Sequence, residues 1–202
     1  MSFGRKLVLA MLVALVLLGA ISGSAPASRW IAPNGGGRFV TASSFAITFT
    51  DEEATFSIVC EIEMLVSLHS VFVKTSGSLI GNVQEVRIRN CRGGTVTFLA
   101  LSLPMHVTYV SFSGTLPNIT SVRMQFNRYG FLVSAFFGLG RCLYGGNFQV
   151  TTFGAGARIS TLRADERRVL PLVTNLGGFE CPSGGVFRGS WSVFPTVELV
   201  LV

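Results

Sequence analysis

Four cysteines (Cys60, Cys91, Cys142 and Cys181) and two histidines (His69 and His106) are the first residues to weigh for chemistry in this 202-residue chain. Zinc sites hold their ligands in close pairs, typically two cysteines with two residues between them. Here the cysteines stand about 30 to 50 residues apart, and neither histidine forms a ligand motif with them. No metal site is expected. A serine nucleophile needs a histidine base and an aspartate to orient it, often around a Gly-x-Ser-x-Gly elbow. The chain has no such elbow and offers Asp51 and Asp165 alone as the aspartates.

Paired carboxylates are the remaining route to catalysis. Glu61 and Glu63 share one strand face about 7 Å apart by strand rise, a separation within the range glycosidases use. Such pairs must flank the sugar from opposite sides, so a partner such as Glu85, Glu180 or Glu198 would have to face them across a cleft. Gly138-Leu139-Gly140 lacks a third glycine at Leu143, and Gly154-Ala155-Gly156 lacks one too, so neither is a dinucleotide loop. Asp51-Glu52-Glu53 carries no calcium-loop pattern and reads as an exposed turn. No catalytic, cofactor-binding or metal-ligating residue is assigned, and no cofactor is expected. Trp30, Trp191, Tyr109, Tyr129 and Tyr144 are candidates for a sugar-stacking surface, with core packing the commoner use of aromatics. Trp191 alternates in register with Phe187 and Val193, which favours the core.

The elements that would position these groups begin after a leader. Arg5 and Lys6 precede an unbroken apolar run from Leu7 to Leu18 and then small residues from Gly19 to Ala27. That is the order of a secretory signal peptide, and the apolar run is short for a bilayer span of ~20 residues. Residues 1–27 are therefore expected to be removed, with cleavage near Ser24 or Ala27. Residues 28–202 then form a single domain, long enough to bury its own core. Without Arg5 and Lys6, 14 basic residues face 10 acidic ones, a mild net charge of about +4. The basic residues are scattered, and Arg163, Arg167 and Arg168 are balanced by Asp165 and Glu166. Nucleic-acid binding would need a concentrated basic stripe. Attraction to an anionic envelope polymer is compatible with the charge.

In an exported chain an even number of cysteines implies disulfides. Four cysteines allow three pairings. Cys60 with Cys91 and Cys142 with Cys181 is the favoured one, because each pair would join successive strands lying side by side.

The mature chain reads as β. Phe56, Ile58, Cys60, Ile62, Met64, Val66 and Leu68 alternate with mostly polar neighbours, the period of a half-buried strand. Val122, Met124 and Phe126 repeat the pattern, as do Phe148 and Val150, and Phe187, Trp191 and Val193. Glycine-rich turns separate the runs, at Gly35-Gly36-Gly37, Gly93-Gly94, Gly145-Gly146 and Gly184-Gly185 among others. No stretch sustains a helical period, although Ala164 to Val169 has room for one turn. The run from Tyr129 to Cys142 is apolar on both faces and is expected to be one central strand, with a membrane-inserting hairpin as the alternative. The alternation of a transmembrane barrel is not maintained. The expected fold is an all-β antiparallel sandwich stapled by two disulfides, with barrel-like closure as the variant.

Cys60, the Cys91-Arg92-Gly93-Gly94 turn, Cys142 to Gly146, Cys181-Pro182-Ser183-Gly184 and Phe187-Arg188-Gly189-Ser190-Trp191 together resemble a group of small exported proteins of actinomycete-type bacteria without assigned activity. The chain departs from that group at Leu103-Pro104-Met105, where the group usually carries tryptophan in place of Met105. The resemblance implies a β-sandwich with sequential disulfides and implies no chemistry. The expected function is a secreted or envelope-associated, non-catalytic module recognising glycan or surface protein, with a small carboxylate-dependent hydrolase as the alternative.

Overall fold

The computed structural model describes residues 30–51, 56–99, 103–115, 118–135, 140–154, 158–164, 169–178 and 180–202. The expected leader, residues 1–27, lies outside them. So do residues 165–168, within the segment with room for a helical turn. The described residues form thirteen strands and no helix: β1 (Trp30–Pro33), β2 (Arg38–Asp51), β3 (Ser57–Leu68), β4 (Phe72–Val73), β5 (Leu79–Arg92), β6 (Thr95–Phe98) and β7 (Met105–Thr115) come first. β8 (Asn118–Ala135), β9 (Gly140–Phe153), β10 (Arg158–Ala164), β11 (Val169–Asn175), β12 (Gly184–Arg188) and β13 (Ser190–Leu201) follow.

Period two in the sequence becomes period two in burial. Along β3 every second side chain from Ile58 to Val66 is buried, while Val59 and Leu65 are half-buried on the other face. All pairings are antiparallel, and they close a ring in the order β2, β3, β5, β7, β8, β9, β10, β13 and back to β2. At the other end of the ring β11 replaces β10 beside β9, and β12 replaces β13 beside β2. Likewise β6 continues the line of β7 along β8. The result is one closed sheet of eight strand positions, three of them built from two successive strands. β1 and β4 pair with each other, and β1 also pairs with the end of β13.

Opposite walls of this sheet touch, which gives the sandwich-like core the alternation predicts. Phe49 of β2 meets Phe131 of β8 across the interior, ring centroids 5.1 Å apart, and also Tyr144 at 5.0 Å and Phe187 at 5.5 Å. Phe126 stacks on Phe148 at 4.8 Å. Offset and edge-on ring contacts of this kind add to the stabilisation from buried area alone. The two disulfides are Cys60–Cys91, joining β3 to β5, and Cys142–Cys181, joining β9 to the loop before β12.

Three expectations need correction. The run from Tyr129 to Cys142 is not one strand: β8 ends at Ala135 and β9 begins at Gly140. Tyr129, Phe131 and Val133 are buried because they face the interior, whereas Leu132 is half-buried on the outer side. Gly145-Gly146 lies inside β9, where a Cβ on Gly145 would crowd Val173 Cγ2 at 3.1 Å and the Tyr129 carbonyl at 3.2 Å, and Gly146 takes a φ of +140°. Gly184-Gly185 opens β12, and the ring of Phe49 occupies the space a Cβ on Gly185 would need. Gly145 and Gly185 are therefore steric requirements within strands, while Gly35-Gly36 and Gly93-Gly94 are turns with positive φ.

Candidate functional site

The carboxylates considered for hydrolysis do not converge. Glu61 and Glu63 sit on the outer wall of β3, where Glu63 pairs with Arg87 at 3.6 Å and Arg89 at 3.3 Å. Glu85 is held by Arg87 at 2.6 Å on the same wall. Glu198 accepts from Asn34 Nδ2 at 3.1 Å, and Glu180 is exposed in the loop before β12. Glu63 and Glu85 meet around Arg87 on the same wall that carries Glu61, so these three share one face rather than flanking a gap. Their ion pairs are exposed and contribute little to stability. The acidic run contributes Asp51 alone to the described residues; it is buried, and its Oδ1 accepts from Phe56 N at 2.7 Å to close the β2–β3 connection.

The aromatics divide. Trp191, Tyr109, Tyr129 and Tyr144 are buried in the core, as the register of Trp191 predicts, and of that set only Trp30 stays half-exposed. Exposed aromatic surface comes instead from two phenylalanines absent from the sequence-derived candidates. Phe194 is 76% exposed on β13 and Phe39 is 62% exposed on β2. Phe194 stands opposite Thr41, whose neighbour two residues along on the same outer face is Phe39. That makes the rings diagonal neighbours, roughly 7–8 Å apart at the backbone.

From Phe39 a row of uncharged polar side chains runs around the barrel. Phe39 is registered with Ser67 of β3, Ser67 with Asn82 of β5, and Asn82 with His106 of β7. Thr108, two residues beyond His106, is registered with Gln125 of β8, and Gln125 with Gln149 of β9. Because Met105, Val107, Met124 and Phe126 point inward, these alternate residues lie on the outer side of the sheet, His106 exposed and Ser67, Asn82, Thr108 and Gln125 half-buried, while Gln149 at the end of the row is buried. They are tied to one another. Gln84 Nε2 donates to Ser67 Oγ at 3.0 Å, and His106 Nδ1 donates to Asn82 Oδ1 at 2.7 Å. Asn127 Nδ2 donates to Thr108 Oγ1 at 3.0 Å and to the His106 carbonyl at 3.3 Å. Gln125 donates from Nε2 to Asn127 Oδ1 at 2.7 Å, and its Oε1 accepts from Gln149 Nε2 at 3.2 Å.

An amide offers two donors and two acceptor lone pairs, so the accessible amides of Asn82 and Gln84 retain capacity after these internal bonds. The ladder holds the groups in place before any ligand arrives, which lowers the ordering cost of binding. A second feature on the outer wall is a shallow depression of about 410 Å³ where half-exposed Phe153 meets Thr161, Arg163, Gly189 and Ser190.

No protein-family model matches the chain, and no curated protein or solved structure matches it.

Proposed function

We propose that this is an exported, non-catalytic recognition module that binds a neutral glycan of the cell envelope. The site is the outer arc from β13 to β7, where Phe194 and Phe39 form a stacking platform and Ser67, Gln84, Asn82 and His106 supply hydrogen bonds. The carrying observation is the register that lines an exposed aromatic pair up with a ladder of amides and hydroxyls. The flat, C–H-rich face of a sugar ring packs on an aromatic ring, and its hydroxyls need partners that both donate and accept. Five adjacent strands span roughly 19 Å at ~4.8 Å per step, enough for several sugar rings. Export is supported by the basic, apolar and small-residue order of residues 5–27 and by two disulfides, which fit an oxidising compartment.

Co-sedimentation of the oxidised protein with isolated envelopes and with an insoluble neutral polysaccharide, across a salt series, tests this. Binding at an uncharged arc persists at high salt, and the Phe39→Ala/Phe194→Ala variant loses at least about tenfold in affinity. Its unfolding midpoint stays unchanged, because both rings are exposed. Binding abolished by salt, or unaffected by the double variant, overturns the assignment.

A further inference from the structure

The interior of the barrel is filled unequally. At the end lined by β11 and β12, inward positions carry Phe49, Phe131, Tyr144 and Phe187, whose rings contact one another. At the other end, lined by β10 and β13, some strands present smaller groups: β2 turns in Val40 and Ala42 there and Phe49 at the first end, and β13 turns in Val193 two residues beyond Trp191. The ring of eight strand positions is continuous between the two ends, so smaller side chains leave space. Eight-stranded barrels have an interior that side chains just fill or that holds one small ligand. Here a cavity of about 50 Å³ remains, walled mainly by aliphatic side chains such as Val66, Val107, Val122, Leu162 and Val193, with Phe126 also in the wall and Pro33 and Phe72 closing it towards β1 and β4.

We propose that this cavity is a binding site for a small saturated hydrocarbon of two or three carbons rather than for an aromatic ring. The wall decides the chemistry. Every lining side chain is apolar, and the buried Thr152 beside Val122 is engaged through Oγ1 by the Val122 N–H at 2.7 Å. A water needs two to four polar partners, so a cavity with this wall stays dry and takes an apolar guest. The size decides the class. A cavity of ~150 Å³ admits benzene, so one of a third that volume takes a group of a few carbons. This site is inside the barrel and independent of the outer arc.

The probes are xenon, propane and benzene, added to the disulfide-intact protein with isotopically labelled methyl groups. Xenon is expected to shift the Val66, Val107, Val122, Leu162 and Val193 methyl resonances in a saturable way. Propane is expected to compete with xenon and benzene not to compete. Ala42→Val fills the space with two methyl groups and is expected to abolish the shifts while the protein keeps or gains thermal stability; Val107→Ile is the milder filling and is expected to weaken xenon binding several-fold. Absence of saturable shifts, shifts unaffected by both fillings, or competition by benzene equal to that by propane would overturn the assignment.

Discussion

Gly185 shows how a single side chain's absence is fixed by a neighbour far away in sequence. Phe49 is fully buried and wedged among Phe131, Tyr144 and Phe187, so its ring has no room to retreat. Its atoms occupy the space above Gly185, with Cε1 3.0 Å from where a Cβ would stand and two other ring atoms nearer still. Gly185→Ala is therefore overpacking against an immobile ring, and it is expected to cost about 1–3 kcal/mol. Gly178 is the control: a Cβ there meets nothing within 4 Å, and Gly178→Ala is expected to stay within about 0.5 kcal/mol of the parent. Urea unfolding separates them, with a lower midpoint and unchanged slope for the first and neither changed for the second. In sequence the Gly184-Gly185 pair is indistinguishable from a turn, since the ring that demands it comes from a strand more than a hundred residues earlier. The same holds at the recognition arc: Ser67, Asn82 and His106 look like unrelated surface residues until register lines them up.

At the scale of elements, the two disulfides do different work. Cys60–Cys91 closes 31 residues between β3 and β5, which are already laddered along most of their length. Cys142–Cys181 closes 39 residues and anchors the loop between β11 and β12, which is otherwise held by a few bonds such as Tyr144 Oη to the Pro182 carbonyl at 3.2 Å and Leu176 N to the Arg141 carbonyl at 2.8 Å. In the chain-entropy picture each bridge stabilises the fold by roughly 4 kcal/mol. Cys60→Ala/Cys91→Ala and Cys142→Ala/Cys181→Ala are each expected to lose about that much in denaturant unfolding. Limited proteolysis distinguishes them: the second variant is expected to be cut first between Leu176 and Gly184, and the first variant not. The strands themselves were legible, because one-sided burial writes period two directly into β3, β8 and β9. Strand sharing was not. β10 with β11, and β12 with β13, each keep one place in the ring across a break, and a break that preserves position reads in sequence like a turn that reverses it. The junction of β8 and β9 misled in the opposite sense, since inward Phe131 and Val133 and half-buried Leu132 together mimic a strand covered on both faces.

For the whole molecule, closure of the sheet puts every tyrosine of the chain inside. Tyr109, Tyr129 and Tyr144 are the only three, and all are buried. Burial raises the pKa of each above its ordinary value; for Tyr144 it reaches about 12, with the negative charge of Asp51 adding to the effect of burial. In the unfolded chain the phenols ionise near ~10. The folded state thus keeps its phenolic protons where the unfolded state loses them, and stability must fall with rising pH in that window. The contribution is fully present below pH ~10 and is lost as pH rises from there through about 12, the folded value for Tyr144. Other groups barely interfere: past residue 27 the chain has a single lysine, Lys74, and arginines remain charged throughout. The urea midpoint is therefore expected to be level between pH 7 and 9 and to decline steadily above 10. Phenolate absorbance should appear together with the loss of structure rather than before it. Phenolate signal at pH ~10 from three tyrosines in a protein that is still folded would mean that the interior is open to solvent and the barrel not closed.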